Sequence, residues 1–339
     1  MTAPEQQPKL PCPWRETPLI LSSILSKHAR CQIYLKLENL QPSGSFKSRG
    51  IGNFLLSHLQ SADAEQRDKT HFYSSSGGNA GLACVHAAVT LGVPATIVVP
   101  MTTTQYTIDK MRAAGAADVL QEGASWYECD QYLRETVIPR AKDAGEIPVY
   151  VPPFDAEEIW DGHGTLVEEV IAQMPSGQKP DAILCSVGGG GLFCGIIRGL
   201  KKAGLDATPV LAVETEGAHS LALSLEKGEL STLPAITSIA TTLGARTVAP
   251  QAFAYGQRPS VKSVVLTDKD AIEGCVRFAD DERIMVEAAC GVSLSLCYGN
   301  KLRQYLSDLT EKSRVVVVVC GGSNITAEML AKWTRGPRQ

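Results

Sequence analysis

Five consecutive valines, at residues 315–319, constrain the fold of this chain more than any other feature. A strand with one face in water alternates apolar and polar residues, whereas a strand buried on both faces is a continuous β-branched run. Burial on both faces is typical of parallel sheets that are covered by helices. The valine run therefore predicts an α/β fold in which this strand lies inside a mostly parallel sheet.

Shorter apolar runs alternate with amphipathic stretches along the rest of the chain. Strands are predicted at 33–37, 96–99, 149–151, 182–187 and 210–213, and helices at 81–91, 107–114, 156–172, 192–201 and 268–279. Such alternation is typical of βαβ units. Because 339 residues exceed what one core usually serves, two domains, or one large unit with an insertion, are expected.

The balance of charged residues bears on possible partners. Lys and Arg number 32 against 36 Asp and Glu, and the net charge is −4. Nucleic acids and anionic membranes favour a positive surface, so neither is expected as a partner. No apolar run is long enough to span a bilayer, and the first nine residues lack the apolar core of a signal peptide. A cytoplasmic protein is therefore expected.

The ten cysteines do not indicate a disulfide framework. Most of them lie among Ala, Val, Leu and Gly, where a free cysteine behaves as a small buried hydrophobe. The sequence contains neither C-x-x-C nor H-E-x-x-H, so a zinc site has no support. Most of the cysteines are predicted to be core thiols.

A strand that runs into a glycine-rich turn and then a helix occurs three times, at residues 72–79, 186–191 and 319–324. Each occurrence places backbone N–H groups and a helix N-terminus at the carboxyl edge of a sheet. This is where α/β proteins bind ligands, and anions in particular. Three such turns predict a site at the edge between two sheets.

Four consecutive glycines form the strongest single motif: Gly188, Gly189, Gly190 and Gly191. Between a strand and a helix they predict a phosphate cradle, because bare backbone can approach the anion closely. A tight turn without a ligand is the alternative, but one or two glycines would satisfy it. The dinucleotide fingerprint fails at Phe193, where its third glycine should stand, and the Walker A motif fails at Ile196, where its lysine should stand.

Lys47 follows a polar turn at residues 41–46, at what the pattern indicates is a helix start. Taken alone, such a lysine is usually a solvated cation. The positive end of a helix can lower its pKa, however, and a neutral amine can react with an aldehyde cofactor. The order Ser-Phe-Lys, Ser-Gly-Gly-Asn-Ala-Gly and Gly-Gly-Gly-Gly is far more specific than any one of these parts.

In this order of motifs the chain resembles the fold-type II pyridoxal-phosphate enzymes, and among them the eukaryotic L-serine/L-threonine dehydratases, or serine deaminases. The resemblance covers nearly the whole chain, and its further motifs lie at 16–19, 152–155, 159–163, 214–220, 286–291 and 319–325. It implies a two-domain α/β fold like that of the tryptophan synthase β-subunit, with parallel sheets and the cofactor in the interdomain cleft. The large domain would comprise residues 1–38 and 148–339, and the small domain residues 39–147. Relatives suggest a homodimer.

The resemblance also implies roles for the cofactor residues. Lys47 would hold pyridoxal phosphate through its amine and later act as the base at the substrate Cα. Phe46 would pack on the pyridine ring, Asn79 would bind the ring 3′-oxygen, and residues 188–191 would hold the phosphate. Cys320 matches the position that faces the pyridine nitrogen. A thiol leaves that nitrogen neutral, whereas an aspartate would protonate it.

The substrate would be an amino acid gripped by the turn before Asn79. Ser76, like Lys47, would be a catalytic residue. Ser76 and Asn79 would bind the substrate carboxylate together with the backbone amide of Gly77. Phe154 would close part of the pocket. In the similar serine racemases a serine two positions before the asparagine supplies a second acid, whereas this chain has Gly77 there.

A monovalent cation, potassium by preference, is the second cofactor that the resemblance implies. A flexible set of oxygen ligands suits such a hard cation. Most of the ligands would be backbone carbonyls, so their side chains matter little. The ligand set would be the Glu214 carboxylate and the carbonyls of Gly188, Ala218, Leu243 and Ala245.

The reaction implied is the α,β-elimination of water from L-serine, and also from L-threonine. The products are pyruvate or 2-oxobutanoate, with ammonia. Within the same fold, an amino-acid racemase or a β-replacing synthase is the alternative. A non-catalytic small-molecule-binding protein is the alternative from a different class.

Overall fold

The valine run lies inside a parallel sheet, as its sequence predicts. In the computed structural model, which describes residues 10–175 and 177–335, Arg314–Val318 is a strand in which all four valines are fully buried. Parallel strands flank it on both sides. Neither face of this strand meets water, so the sequence needs no polar alternation there. The first nine residues, which are predicted to lack the apolar core of a signal peptide, lie outside the described residues.

The described residues contain ten strands in two sheets. The strands are β1 Leu19–Ser22, β2 Gln32–Lys36, β3 Thr70–Ser74, β4 Ala95–Val99, β5 Asp118–Gln121, β6 Ile147–Tyr150, β7 Ala182–Ser186, β8 Val210–Thr215, β9 Val261–Leu266 and β10 Arg314–Val318. One sheet has the order β1-β2-β10-β7-β8-β9, and the other has the order β5-β4-β3-β6. Every pairing is parallel except that of β1 with β2.

Fifteen α-helices connect and cover these strands within the described ranges. They are α1 Ser23–Ala29, α2 Lys47–Ser61, α3 Ala64–Lys69, α4 Asn79–Leu91, α5 Gln105–Ala113, α6 Trp126–Tyr132, α7 Ile138–Asp143, α8 Glu157–Gln173, α9 Gly191–Lys202, α10 Ser220–Lys227, α11 Pro250–Gly256, α12 Asp268–Glu282, α13 Ala288–Ser295, α14 Leu302–Tyr305 and α15 Ala327–Thr334. A π-helix, Leu133–Val137, joins α6 to α7. All predicted strands and helices are present, with ends within three residues.

The two sheets correspond to two parts of the chain. The four-stranded sheet is built from residues 70–150, and the six-stranded sheet combines β1 and β2 with strands that follow residue 181. The predicted domain division at 38/39 and 147/148 stays a prediction. The strand β6 crosses the second of these boundaries, because it pairs along its whole length with β3 in the smaller sheet.

The cysteines are mainly core residues, as predicted. All ten are free thiols, and nine of them are buried, with Cys12 exposed. Burial disfavours the charged thiolate and raises the pKa of Cys84 to about 12. Within the described ranges, no helix combines the length and the apolar character needed to cross a membrane.

A buried ionic cluster fixes α2 against the core. The Arg49 guanidinium has no exposed surface and lies 2.7 Å from a carboxylate oxygen of Glu38 and 2.6 Å from one of Glu169. The ammonium of Lys36, also fully buried, lies 2.6 Å from the second oxygen of Glu169. Charges without water are tolerated only when they are paired and hydrogen-bonded, so this cluster holds α2, α8 and β2 in one arrangement.

Removing the Arg49 guanidinium should therefore destabilise the fold strongly. Arg49→Leu leaves the Glu38 carboxylate buried without its ion pair, and we expect a loss of about 3–5 kcal/mol in the free energy of unfolding. Urea unfolding followed by circular dichroism measures the change. The control is Lys202→Ala, which breaks a solvent-exposed pair with Glu168 and should change the unfolding midpoint little. Equal effects of the two substitutions would contradict the role of the cluster.

Candidate active site

The helix α2 begins at Lys47, and the segment before it is held by the chain that follows β10. The N–H of Phe46 donates to the carbonyl of Cys320 over 3.2 Å, and Ser45 forms an antiparallel bridge with Gly321. The lysine is thus placed at the carboxyl edge of the six-stranded sheet. This is the position that the strand–turn–helix pattern predicts for a ligand site.

The amine of Lys47 is held in a part-buried setting. Its Nζ donates to the carbonyl of Pro153 over 2.5 Å and lies 5.5 Å from the centre of the Phe46 ring. Burial lowers the pKa of Lys47 to about 8, while the nearby Cys320 and Glu287 act in the opposite direction. The lowered pKa was predicted from the helix end, and desolvation by burial is the largest cause that the structure gives.

The turn between β3 and α4 lies directly on the first turn of that helix. A Cβ on Gly81 would stand 1.8 Å from the carbonyl oxygen of Ser76, so a side chain at this position would displace the turn. The hydroxyl of Ser76 accepts a hydrogen bond from the N–H of Gly78 over 3.3 Å. Ser76 and Gly77 therefore lie on a turn whose backbone is fixed next to a helix N-terminus.

Asn79, the first residue of α4, is hydrogen-bonded through both atoms of its amide. Its Nδ2 donates to Glu287 over 2.9 Å, and its Oδ1 accepts from the N–H of Ser323 over 2.9 Å. These contacts join the first glycine-rich turn to the third. The binding of a cofactor oxygen by Asn79 stays a prediction.

The four-glycine turn joins β7 to α9 and is closely packed. A Cβ on Gly189 would lie 2.3 Å from the ring of Phe154, and Gly190 has a φ of +91°, which favours glycine. No acceptor in the described part of the chain takes a hydrogen bond from the N–H groups of residues 188–191. Free N–H groups at the start of a twelve-residue helix suit an anion, so the turn fits the phosphate of pyridoxal phosphate.

Phe154 connects the lysine to the glycine turn. Its neighbour Pro153 accepts the hydrogen bond from Lys47, and its ring lies against Gly189. Cys320, only 5% exposed, lies at the end of β10 beside Phe46. The structure therefore brings the predicted cofactor residues together, although the contact that each would make with a cofactor stays a prediction.

Glu287 lies in this site, although its sequence pattern predicts no role for it. It is buried, and it accepts hydrogen bonds from Asn79, from the Thr242 hydroxyl over 2.6 Å and from the Asn324 N–H over 3.3 Å. Burial raises the pKa of its carboxyl group, and these hydrogen bonds oppose the rise. The one sequence feature that could have indicated this role is an acidic residue directly before the apolar helix α13. Such a residue is equally well explained as a helix N-cap.

The predicted cation ligands include one buried carboxyl group and one residue of the glycine turn, Gly188. Glu214 is fully buried, and its two oxygens accept the N–H groups of Leu221 and Ala222 over 2.9 and 2.8 Å. Burial raises the pKa of Glu214 to about 8. A Cβ on Gly188 would stand 3.0 Å from the Cα of Leu243, so these two residues are neighbours.

The other two predicted carbonyl ligands lie close by. Ala218 bridges Thr215 in the strand that holds Glu214, and the Ala245 N–H donates to the Leu243 carbonyl over 2.8 Å. Among the described residues, no group of three or more His, Cys, Asp or Glu side chains could hold a metal ion. A cation here would depend mainly on backbone carbonyls, and the ligand set stays a prediction.

Comparison with known proteins agrees with this geometry. The family described as "Pyridoxal-phosphate dependent enzyme" matches residues 13–321. A Bos taurus protein named "L-serine dehydratase/L-threonine deaminase" is 44% identical over 318 residues, which cover 93% of each chain. The crystal structure of a fungal L-serine ammonia-lyase from Rhizomucor miehei has a TM-score of 0.86 at 35% identity, covering 95% of this chain and 98% of that chain.

A third similar protein is a maize serine racemase, whose structure has a TM-score of 0.80 at 25% identity and covers 95% of this chain and 92% of that one. The α/β fold and the family predicted from the motifs are thereby confirmed. The matched region includes the lysine turn, the Ser-Gly-Gly-Asn turn, the four glycines and the end of the valine strand. The chain belongs to the pyridoxal-phosphate dependent enzyme family.

Proposed function

We propose that this chain eliminates water from L-serine, and from L-threonine, to release pyruvate or 2-oxobutanoate with ammonia. One observation carries the proposal: the amine of Lys47, with a pKa of about 8, donates to the carbonyl of Pro153, and the ring of the next residue, Phe154, lies against the four-glycine turn. Relatives named as serine dehydratases and threonine deaminases support the same substrates.

The residues that would hold the cofactor are those gathered around Lys47. Pyridoxal phosphate, when bound, supplies an electron-withdrawing ring that stabilises negative charge at the substrate Cα. Lys47 would hold it through its amine, and the N–H groups of residues 188–191 would bind its phosphate. Phe46 would pack on its ring, and Asn79 and Cys320 would contact its 3′-oxygen and its ring nitrogen.

The chain's own groups then account for the elimination. The Lys47 amine, with its lowered pKa, is uncharged more often at neutral pH than an ordinary lysine and can remove the proton from Cα. The substrate carboxylate would bind at the N-terminus of α4, to Ser76, Asn79 and the N–H of Gly77. Phe154, between Pro153 and the glycine turn, would exclude water from one side of the substrate.

Cys320 favours elimination over reactions that need a long-lived carbanion. An aspartate at this position would protonate the ring nitrogen and deepen the electron sink, whereas a thiol leaves the nitrogen neutral. Elimination tolerates the weaker sink, because the β-hydroxyl departs as negative charge develops at Cα. The proposal also includes a homodimer in the cytoplasm that has an amino acid as its small-molecule substrate and neither a nucleic acid nor a membrane as a partner.

The function is tested by keto-acid release and by labelling of Lys47. The purified protein should form pyruvate from L-serine, and Lys47→Ala should reduce the rate by at least about a hundredfold, because the base is lost. Borohydride reduction and peptide mapping should place the pyridoxyl label on Lys47. Lys202→Ala, at an exposed lysine, is the control and should keep wild-type activity. A label on another lysine, or no keto acid from a panel of hydroxy amino acids, would falsify the assignment.

The cation is tested by exchanging sodium for potassium at constant ionic strength. We expect activity to rise in potassium, because the carbonyls near Glu214 and the Gly188 turn would be ordered by the ion. Glu214→Gln should weaken this response by removing the one carboxyl group from the ligand set. Glu226→Gln, at an exposed position on α10, is the control and should respond as the wild type does. If the wild-type enzyme is indifferent to the cation, there is no cation site here.

Racemisation of serine is the second candidate function, because the structure is similar to that of a serine racemase. Racemisation requires an acid on the face of Cα opposite Lys47. The corresponding position is Gly77, which has no side chain. A Cβ there would lie 3.3 Å from Val99 Cγ1 and 3.4 Å from Thr103 Oγ1, so a serine fits only if these neighbours give way slightly.

We therefore expect the wild-type enzyme to form no D-serine from L-serine, and Gly77→Ser to introduce D-serine formation. Chiral chromatography after incubation with L-serine measures both. Gly78→Ser is the matched control, because a Cβ at that position meets nothing closer than 3.9 Å and the new hydroxyl is not at the predicted acid position. D-serine in amounts comparable to pyruvate from the wild-type enzyme would favour the racemase.

A further inference from the structure

The helix α6, which covers the four-stranded sheet, carries a carboxylate that contacts two segments of the active site. Asp130 lies in α6, and its side chain is 13% exposed. Its Oδ1 accepts hydrogen bonds from the Ser75 hydroxyl over 2.7 Å and from the Tyr150 hydroxyl over 2.6 Å. Its Oδ2 lies 2.8 Å from Nε of Arg134. Three side chains are therefore joined through one carboxylate.

The two hydroxyl donors stand at the ends of neighbouring strands. Ser75 directly follows β3 and precedes Ser76 in the turn to α4. Tyr150 is the last residue of β6, which pairs with β3, and Pro153 lies three residues further along the chain. Asp130 thus holds both the turn assigned to the substrate carboxylate and the segment whose carbonyl binds Lys47.

The groups around Asp130 hold its side chain in one position. Arg134 belongs to the π-helix Leu133–Val137, and its guanidinium lies 4.1 Å from the centre of the Tyr150 ring. Burial, together with the hydrogen bond to Asp130, raises the pKa of Tyr150 to about 12, so its hydroxyl remains a donor. Short π-helical segments are frequent at functional sites, because they redirect side chains that a regular helix would place elsewhere.

The helix that carries Asp130 is itself firmly placed. Cys129 in α6 and Leu133, the first residue of the π-helix, are fully buried, and they form a small core with Tyr73 of β3 and Val98 of β4. This core lies on the face of the four-stranded sheet that α6 covers. A carboxylate on such a support can define the position of its hydrogen-bond donors.

We propose that Asp130 is a positioning residue for substrate binding. It fixes the buried Ser75 hydroxyl, and with it the β3 end of the turn that contains Ser76 and Gly77. The other end of this turn is fixed by Gly81 and Asn79. Hydrogen bonds to a charged group are stronger than neutral ones, and a buried hydroxyl left without its acceptor is costly. The inference rests on the proposed function, in which this turn binds the substrate carboxylate.

The kinetic test compares substitutions at both ends of the hydrogen bond. For Asp130→Ala and for Ser75→Ala, we expect the KM for L-serine to rise about tenfold, which is about 1.4 kcal/mol, with kcat nearly unchanged. The double variant should have a KM no higher than that of Asp130→Ala alone, because both changes break the same interaction. Asp143→Ala, at the exposed aspartate that ends α7, is the control and should leave KM unchanged.

Amide hydrogen exchange of the holoenzyme without substrate tests the positioning independently of activity. Exchange at residues 75–78 should be faster in Asp130→Ala and Ser75→Ala, and unchanged in Asp143→Ala. If the wild-type protein forms no keto acid from L-serine, the proposed function fails, but the exchange result still decides whether Asp130 holds the turn. An unchanged exchange rate, or an unchanged KM in an active enzyme, overturns the inference.

If Asp130→Ala does not fold, Ser75→Ala and Tyr150→Phe take its place, since each removes a single hydroxyl. Ser75→Ala should then raise KM and accelerate exchange in the turn. Tyr150→Phe should affect residues 150–153 more than residues 75–78. A Ser75→Ala variant with wild-type KM and wild-type exchange would refute the role of the Asp130 contact.

Discussion

The position of Lys47 depends on backbone contacts between two segments that are distant in sequence. The Phe46 N–H donates to the Cys320 carbonyl, and Ser45 forms a bridge with Gly321. Gly321 has a φ of +77°, which a residue with a side chain rarely adopts. If these contacts were absent, α2 would begin elsewhere and its first residue would not face the ends of the parallel strands. The lysine is therefore part of the six-stranded sheet's edge, although its helix packs mainly against the helices α4 and α8.

Polar groups at this edge are held by partners from different parts of the chain. Glu287 binds Asn79 from one side, and Asp130 binds Ser75 from the other. Both carboxylates are largely buried, where an unpaired charge would be costly. A buried carboxylate that is hydrogen-bonded holds its partners in a defined geometry. The turn between β3 and α4 is consequently fixed before any ligand arrives, which lowers the entropic cost of binding an amino acid.

The strands and helices that could be predicted from the sequence are those with a strong pattern of apolar residues. The valine run and the strand at 182–187 are continuous apolar segments, and α8, α9 and α12 are long and amphipathic. Edge strands such as β5 and β9 carry few buried residues, so their patterns are weak and they were not predicted. The π-helix also has no sequence signature, because it differs from an α-helix only in which carbonyl each N–H meets.

The sequence by itself determined the α/β class, the three glycine-rich turns and the lysine at a helix start, because each depends on residues that are close together in the chain. Only the tertiary structure decided which side chains support them. The contact of Asp130 with Ser75 joins residues 55 positions apart, and that of Glu287 with Asn79 joins residues 208 positions apart. Local pattern carries no information about such pairs, since an acidic residue at a helix surface and one beneath an active site look the same until the sheets are assembled.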